Sequence, residues 1–94
     1  MAQRGTVLVL GGSSGIGEAT VRRLAADGVP VLSTHRTGAD RAARICAELG
    51  ESVRTLPCDV RDPGSLADAF AAAGEGLAGV VHCAGSVLPT TWPA

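Results

Sequence analysis

Thr6-Val-Leu-Val-Leu10, followed at once by Gly11-Gly-Ser-Ser-Gly15-Ile-Gly17, is the stretch that decides the fold. Its first five residues are all apolar except Thr6, the pattern of a strand buried on both faces, because a strand with one wet face alternates apolar and polar side chains. Beyond the turn, Gly17, Val21, Leu24 and Gly28 fall at i, i+4, i+7 and i+11, one face of a helix. Gly28 follows Asp27 where a glycine stop is expected at a helix C-terminus. A buried strand thus runs through a glycine-rich turn into a helix. In that position side-chain-free backbone lets a pyrophosphate approach the amides, and the helix N-terminus adds unpaired N–H groups and a positive dipole end. Gly17 also lets the helix lie close to the strands, and Ser13 and Ser14 offer hydroxyls to phosphate oxygens. The plainer reading, glycines that only make a tight turn, accounts less well for the strand and helix on either side.

The same alternation continues outward. Val29–Thr34 reads as a second strand with Pro30 tolerable near its start, and Ala39, Ala42, Ala43, Cys46 and Leu49 mark a second helix closed by Gly50. Ser52–Pro57 is a third strand. Asp62-Pro63 opens a third helix, Asp as N-cap and Pro at the first helical position, with Leu66, Phe70 and Ala73 as its apolar face. Leu77–His82 is a fourth strand, ending at Cys83-Ala84-Gly85, and residues 86–94 form an irregular tail with two prolines. The order β-α-β-α-β-α-β predicts an α/β fold: a partial Rossmann-type parallel sheet with right-handed crossovers and helices on both faces. Four strands are short of the usual six, so residues 1–94 read as a single, incomplete nucleotide-binding domain with one sheet edge and part of one face uncovered.

Composition narrows the chemistry. The eight basic residues are all arginine, there is no tyrosine, and nine acidic residues bring the net charge to −1. No phenol or amine side chain is therefore available, and no basic field for nucleic acid is expected. Cys46, Cys58 and Cys83 contain no C-x-x-C pair, which predicts neither a zinc site nor a disulfide framework, and an odd count fits a reducing cytoplasm. No apolar stretch approaches the roughly 20 residues of a membrane span, and Met1 to Gly5 lacks the apolar core of a signal peptide.

The G-x-x-x-G-x-G spacing of Gly11, Gly15 and Gly17 resembles the cofactor loop of the short-chain dehydrogenase/reductases, with Leu10 where that family carries threonine. Asp59-Val60 after the third strand looks like the family's adenine-holding D-V pair. His82-Cys83-Ala84-Gly85 looks like its N-A-G motif, with Cys83 in place of asparagine. The resemblance runs from Thr6 to Gly85 and is nearest to members such as 3-oxoacyl-carrier-protein reductases and polyketide ketoreductases. It implies a cofactor site made of Gly11, Ser13, Ser14, Gly15, Ile16, Gly17, His35, Arg36, Asp59, Val60, Cys83, Ala84 and Gly85.

Rossmann-type sites select NAD with an acidic residue at the end of the second strand and NADP with an arginine. Here that position looks to be His35, Arg36 follows, and no Asp or Glu occurs between Asp27 and Asp40, so NADP (NADPH) is favoured over NAD. Asp59 is a candidate acceptor for the adenine amino group, against the plain reading of a turn-forming aspartate. His82 at a strand end reads as a structural histidine rather than a proton carrier, and Arg22, Arg23, Arg41 and Arg44 as a solvated surface.

The resemblance implies a carbonyl or secondary-alcohol oxidoreductase whose proton transfer uses a serine, a tyrosine and a lysine. The last two residue types are absent and no serine here matches the first, so no catalytic residue is assigned. The leading expectation is the NADP-binding N-terminal portion of such an enzyme, inactive alone, with an oligomer only for a fuller-length form. The alternatives are a non-catalytic NADP-binding module acting with a partner chain, or an α/β fragment with no nucleotide role.

Overall fold

The computed structural model describes residues 5–13 and 15–83. Four parallel strands, β1 (Thr6–Leu10), β2 (Val31–His35), β3 (Val53–Pro57) and β4 (Leu77–His82), form one sheet in the order β3-β2-β1-β4. Three helices cross between them: α1 (Gly15–Ala26), α2 (Ala39–Leu49) and α3 (Pro63–Ala73). The expected α/β alternation is present element for element. The tail at residues 86–94 lies outside the described residues.

Because β1 and β2 are the central strands, both of their faces are covered. Val9, Val31 and Val53 pack with Val21 of α1 and Ile45 of α2 on one side. Leu8, Leu10 and Leu32 pack with Ala69 and Ala73 of α3 and with Cys58 on the other. This two-sided burial is what the unbroken aliphatic run of β1 encodes.

The helix ends follow their sequence signals. Gly28 adopts φ +76°, its N–H donates to the Ala25 carbonyl, and the Val29 N–H donates to the Leu24 carbonyl. These two bonds close α1 as a Schellman motif, and they also explain why β2 begins at Val31 rather than Val29: the Val29 amide belongs to the helix stop. At α3, the Asp62 carboxylate accepts from Gly64 N at 3.0 Å with Pro63 in the first turn, the predicted cap.

Two predicted helix faces are corrected. In α2, Ala42 and Ile45 are buried with Cys46 and Leu49 packed beside them, while Ala39 and Ala43 are exposed. In α3 the row is Leu66, Ala69 and Ala73. Phe70 lies a quarter-turn to the side and remains 41% exposed. His82, read as a structural histidine at a strand end, is exposed: among the described residues β4 is hydrogen-bonded only to β1, and its residues alternate between half-buried and exposed. Val80, which pairs with Leu8 and so shares the α3 side of the sheet, is 44% exposed. Among the described residues β4 is an outer strand of the sheet whose α3-side face is only partly covered.

The arginines of the outer helices are more organised than a solvated surface. Glu18 of α1 accepts from Arg22 at 2.8 Å and from Arg41 of α2 at 2.9 Å, while Arg22 also reaches Glu48 of α2 at 2.8 Å. Hydrogen bonds from Arg22 and Arg41 hold the Glu18 carboxyl below its ordinary 4.5. A carboxylate with a depressed folded-state pKa stabilises the fold above the unfolded value and loses that contribution as pH falls through the folded one. Glu18→Gln is therefore expected to lower the melting temperature at pH 7. The gap from the parent chain should narrow below about pH 4.5 and in high salt. A gap that stayed constant across a pH series in thermal melts would mean the clasp between α1 and α2 contributes nothing.

Candidate functional site

The strands all point their carboxyl ends to one edge of the sheet. From β1 the chain steps to β2 and β3 on one side, then returns to β4 on the other, so the β1–β4 boundary is the topological switch point where open α/β sheets bind ligands. The glycine turn leaves β1 at that boundary. Cys83 is drawn up beside it, its N–H donating to the Leu10 carbonyl at 2.8 Å.

The turn is anchored by β2. The Gly11 N–H donates to Thr34 Oγ1 at 3.1 Å, and the Gly12 N–H donates to the Thr34 carbonyl at 2.9 Å. The glycines within it do different work. A side chain at Gly12 would press on Ser33 and Val21, and one at Gly17 would land on the Gly11 carbonyl. Those two glycines are therefore packing requirements. Gly15 has open space around the position of a Cβ, so no contact among the described residues demands glycine there. It stands at the first residue of α1, where an incoming anion would approach the helix N-terminus. Ile16 beside it is 78% exposed, and an open groove from Gly15 and Ile16 runs along α1 past Thr20 to Leu24.

The second half of the site lies at the ends of β2 and β3. His35 is buried and its Nδ1 lies 2.9 Å from Thr55 Oγ1 across the strand pair, while Arg36, the next residue, is exposed. Ser13 and Gly38 are neighbours, since a Cβ at Gly38 would sit 3.7 Å from Ser13 Oγ, so the loops after β1 and β2 border one space. Asp59 is half-buried at the end of β3, and Val60 packs against the α3-side core. Both Asp59 carboxylate oxygens accept from the Arg61 guanidinium, at 3.1 and 3.2 Å, and Oδ1 also accepts from the Arg61 backbone N–H at 3.0 Å. These bonds, with a smaller influence of the Arg36 charge, hold the Asp59 carboxyl below its ordinary range.

Gly11, Ser13, Gly15, Ile16, Gly17, His35, Arg36, Asp59, Val60 and Cys83 thus stand at the carboxyl ends of the strands and in the turns that follow them. Ser14, Ala84 and Gly85 lie outside the described residues. Sequence reasoning missed Thr34, Ser65 and Arg61. Thr34 anchors the turn, and a hydroxyl next to the end of an otherwise aliphatic strand is the signal it left. Ser65 Oγ accepts from the Asp59 N–H at 2.9 Å. Cys58 and Cys83 belong to cores on opposite faces of the sheet, and all three cysteines are free. Among the described residues no group of three or more His, Cys, Asp or Glu could hold a metal ion, and no helix is long and apolar enough to cross a membrane.

The family model for short chain dehydrogenases matches residues 5–91. The chain belongs to the short chain dehydrogenase family. Members are oxidoreductases that bind nicotinamide cofactors. Serine 3-dehydrogenase of Agrobacterium fabrum is 36% identical over 89 residues, which cover 92% of this chain and 35% of that relative. The structure of a short-chain type dehydrogenase/reductase from Mycobacterium ulcerans superposes with a TM-score of 0.80 at 37% identity, over 89% of this chain and 34% of the other. A blue fluorescent protein from a metagenomic library, solved in complex with NADPH, superposes with a TM-score of 0.69 at 35% identity, over 76% of this chain and 32% of the other. This short chain dehydrogenase sequence spans about a third of the length of these three relatives.

Proposed function

We propose that this chain is the NADP(H)-holding part of a short chain dehydrogenase acting on a carbonyl or secondary alcohol. The observation that carries the choice of NADP is the end of β2. Its last side chain is a buried imidazole engaged with Thr55, and the exposed residue after it is Arg36. An NAD site needs a carboxylate there to accept from the ribose 2′-hydroxyl, and this loop has none before Asp40. A guanidinium there suits a 2′-phosphate, which it can grip with two charge-assisted hydrogen bonds.

The residues present fit the rest of the dinucleotide. The turn from Gly11 to Gly17 with the N-terminus of α1 would take the pyrophosphate, Gly15 leaving the backbone accessible. Asp59 and Val60 would take the adenine ring, and Cys83, Ala84 and Gly85 would border the cofactor beyond the switch point. When bound, the cofactor supplies the hydride. The chain contains no tyrosine or lysine, so the proton-transfer pair implied by the family must come from outside these 94 residues, which bind cofactor without turning it over.

Equilibrium binding of NADPH and NADH to the chain tests this reading. The parent sequence should prefer NADPH, and Arg36→Asp should move the preference toward NADH by about ten- to a hundredfold, the worth of one or two charge-assisted hydrogen bonds. A preference that did not move would remove Arg36 from the site.

A further inference from the structure

Asp59 presents an electrostatic difficulty at a site meant for a phosphate. The Cys58 N–H donates to the His35 carbonyl at 2.9 Å, one step beyond the last β2–β3 rung between His35 and Pro57. Arg36 and Asp59 therefore leave the sheet side by side, each the next residue after that bond. A bare carboxylate so placed would draw the Arg36 guanidinium to itself and would repel a phosphate dianion arriving at Arg36.

Arg61 is arranged to prevent both. Its guanidinium contacts Asp59 through Nε on one oxygen and Nη2 on the other, and its backbone N–H fixes the first oxygen as well. The loop is itself pinned, with the Asp59 N–H on Ser65 Oγ at 2.9 Å and the Asp62 N–H on the Asp59 carbonyl at 2.9 Å. Asp62, the other acid of this loop, directs its carboxylate to Gly64 N at the start of α3. Glu18 is engaged by Arg22 and Arg41.

We propose that Arg61 is a specificity-determining residue: by pairing with Asp59 it neutralises the carboxylate next to the ribose site and leaves Arg36 free for the 2′-phosphate. The inference rests on the NADP reading of Arg36 and deepens it, because it adds a second arginine that acts without touching the phosphate. Asp59 keeps its place beside the adenine, its orientation fixed by the same pair.

Binding of NADPH and NADH to the 94-residue chain, followed by calorimetry, tests it with three variants. Arg61→Ala should lower the NADPH-over-NADH preference about three- to tenfold, the effect of uncovering one charge several ångströms from a dianion in a solvated site. Adding Asp59→Asn to Arg61→Ala should restore the preference, since no carboxylate then needs neutralising, even if both affinities fall through a weaker adenine contact. Arg61→Ala lowering both affinities equally would overturn the proposal, as would failure of the double variant to recover the preference; Arg61 would then only shape the loop. Arg36→Ala separates the two readings. Loss of preference there with none in Arg61→Ala overturns this inference alone, and no loss in Arg36→Ala overturns the NADP reading beneath it.

Discussion

Alanine at Gly17 is expected to destabilise the chain by about 3 kcal/mol or more and to abolish dinucleotide binding with it. The added methyl would land on the Gly11 carbonyl oxygen and lie 2.8 Å from the Gly11 carbonyl carbon and 3.0 Å from Gly12 Cα. All three are backbone atoms, so no rotamer change relieves the contact. Nor can the turn back away, because the Gly11 and Gly12 amides are tied to Thr34, itself 1% exposed in the central strand. The strain must instead lift the first turn of α1 from the sheet, uncovering Val21. Gly15→Ala is the matched control. Its methyl meets open space, and alanine favours a helix over glycine, so stability should hold or rise slightly. NADPH affinity should nevertheless fall, because the methyl occupies the approach to the helix N-terminus. Urea unfolding and NADPH titration of both variants separate a packing glycine from a binding one. Equal loss of stability in the two would contradict that division.

That division was only half legible in the sequence. The spacing of Gly11, Gly15 and Gly17 located the turn, and the aliphatic run Val7–Leu10 located the buried strand beneath it. Both are local patterns whose physical cause, backbone approach and two-sided burial, acts within a few residues. Helix stops were legible for the same reason: Gly28 and the Asp62-Pro63 cap are one-turn devices.

What escaped depended on how distant segments meet. Thr34 anchors the glycine turn across a sequence separation of 23 residues, and no local pattern announces that pairing. Arg22 and Arg41 read as surface charges because their shared acceptor, Glu18, becomes common only when α1 and α2 lie side by side. Order along the chain puts His35 at the end of β2, yet its partner Thr55 depends on the β2–β3 register. Ala39 and Ala43 of α2 and Phe70 of α3 are read into the apolar faces while Ile45 and Ala69 are left out, because runs of alanine offer several nearly equivalent apolar rows. In α3 the choice of row was made by the sheet: the helix docks through the alanines that let it come close to Leu8, Leu10 and Leu32, and Phe70 is left at the side.

The docking row of α3 gives the other large expected effect. Leu8→Ala should cost about 3–5 kcal/mol, the upper part of the range for a fully buried leucine. Leu8 is 0% exposed at the centre of β1, and the buried α3 residues in its cluster, Ala69 and Ala73, have side chains too short to swing into the vacated space. Leu10 and Leu32 are fixed by their strands, which leaves only the partly buried Leu56, Val60, Leu66 and Leu77 around the cluster to relax toward the cavity. Such a loss is a large share of the roughly 5–15 kcal/mol that stabilises a domain, and the chain should be largely unfolded near physiological temperature. Phe70→Ala deletes more atoms but from a side chain that is 41% exposed, and should cost about 1 kcal/mol or less. Urea denaturation of the two variants ranks them directly. If the phenylalanine deletion proved the more costly, α3 would have to dock through Leu66, Phe70 and Ala73 after all, and the alanine row would not be what holds it to the sheet.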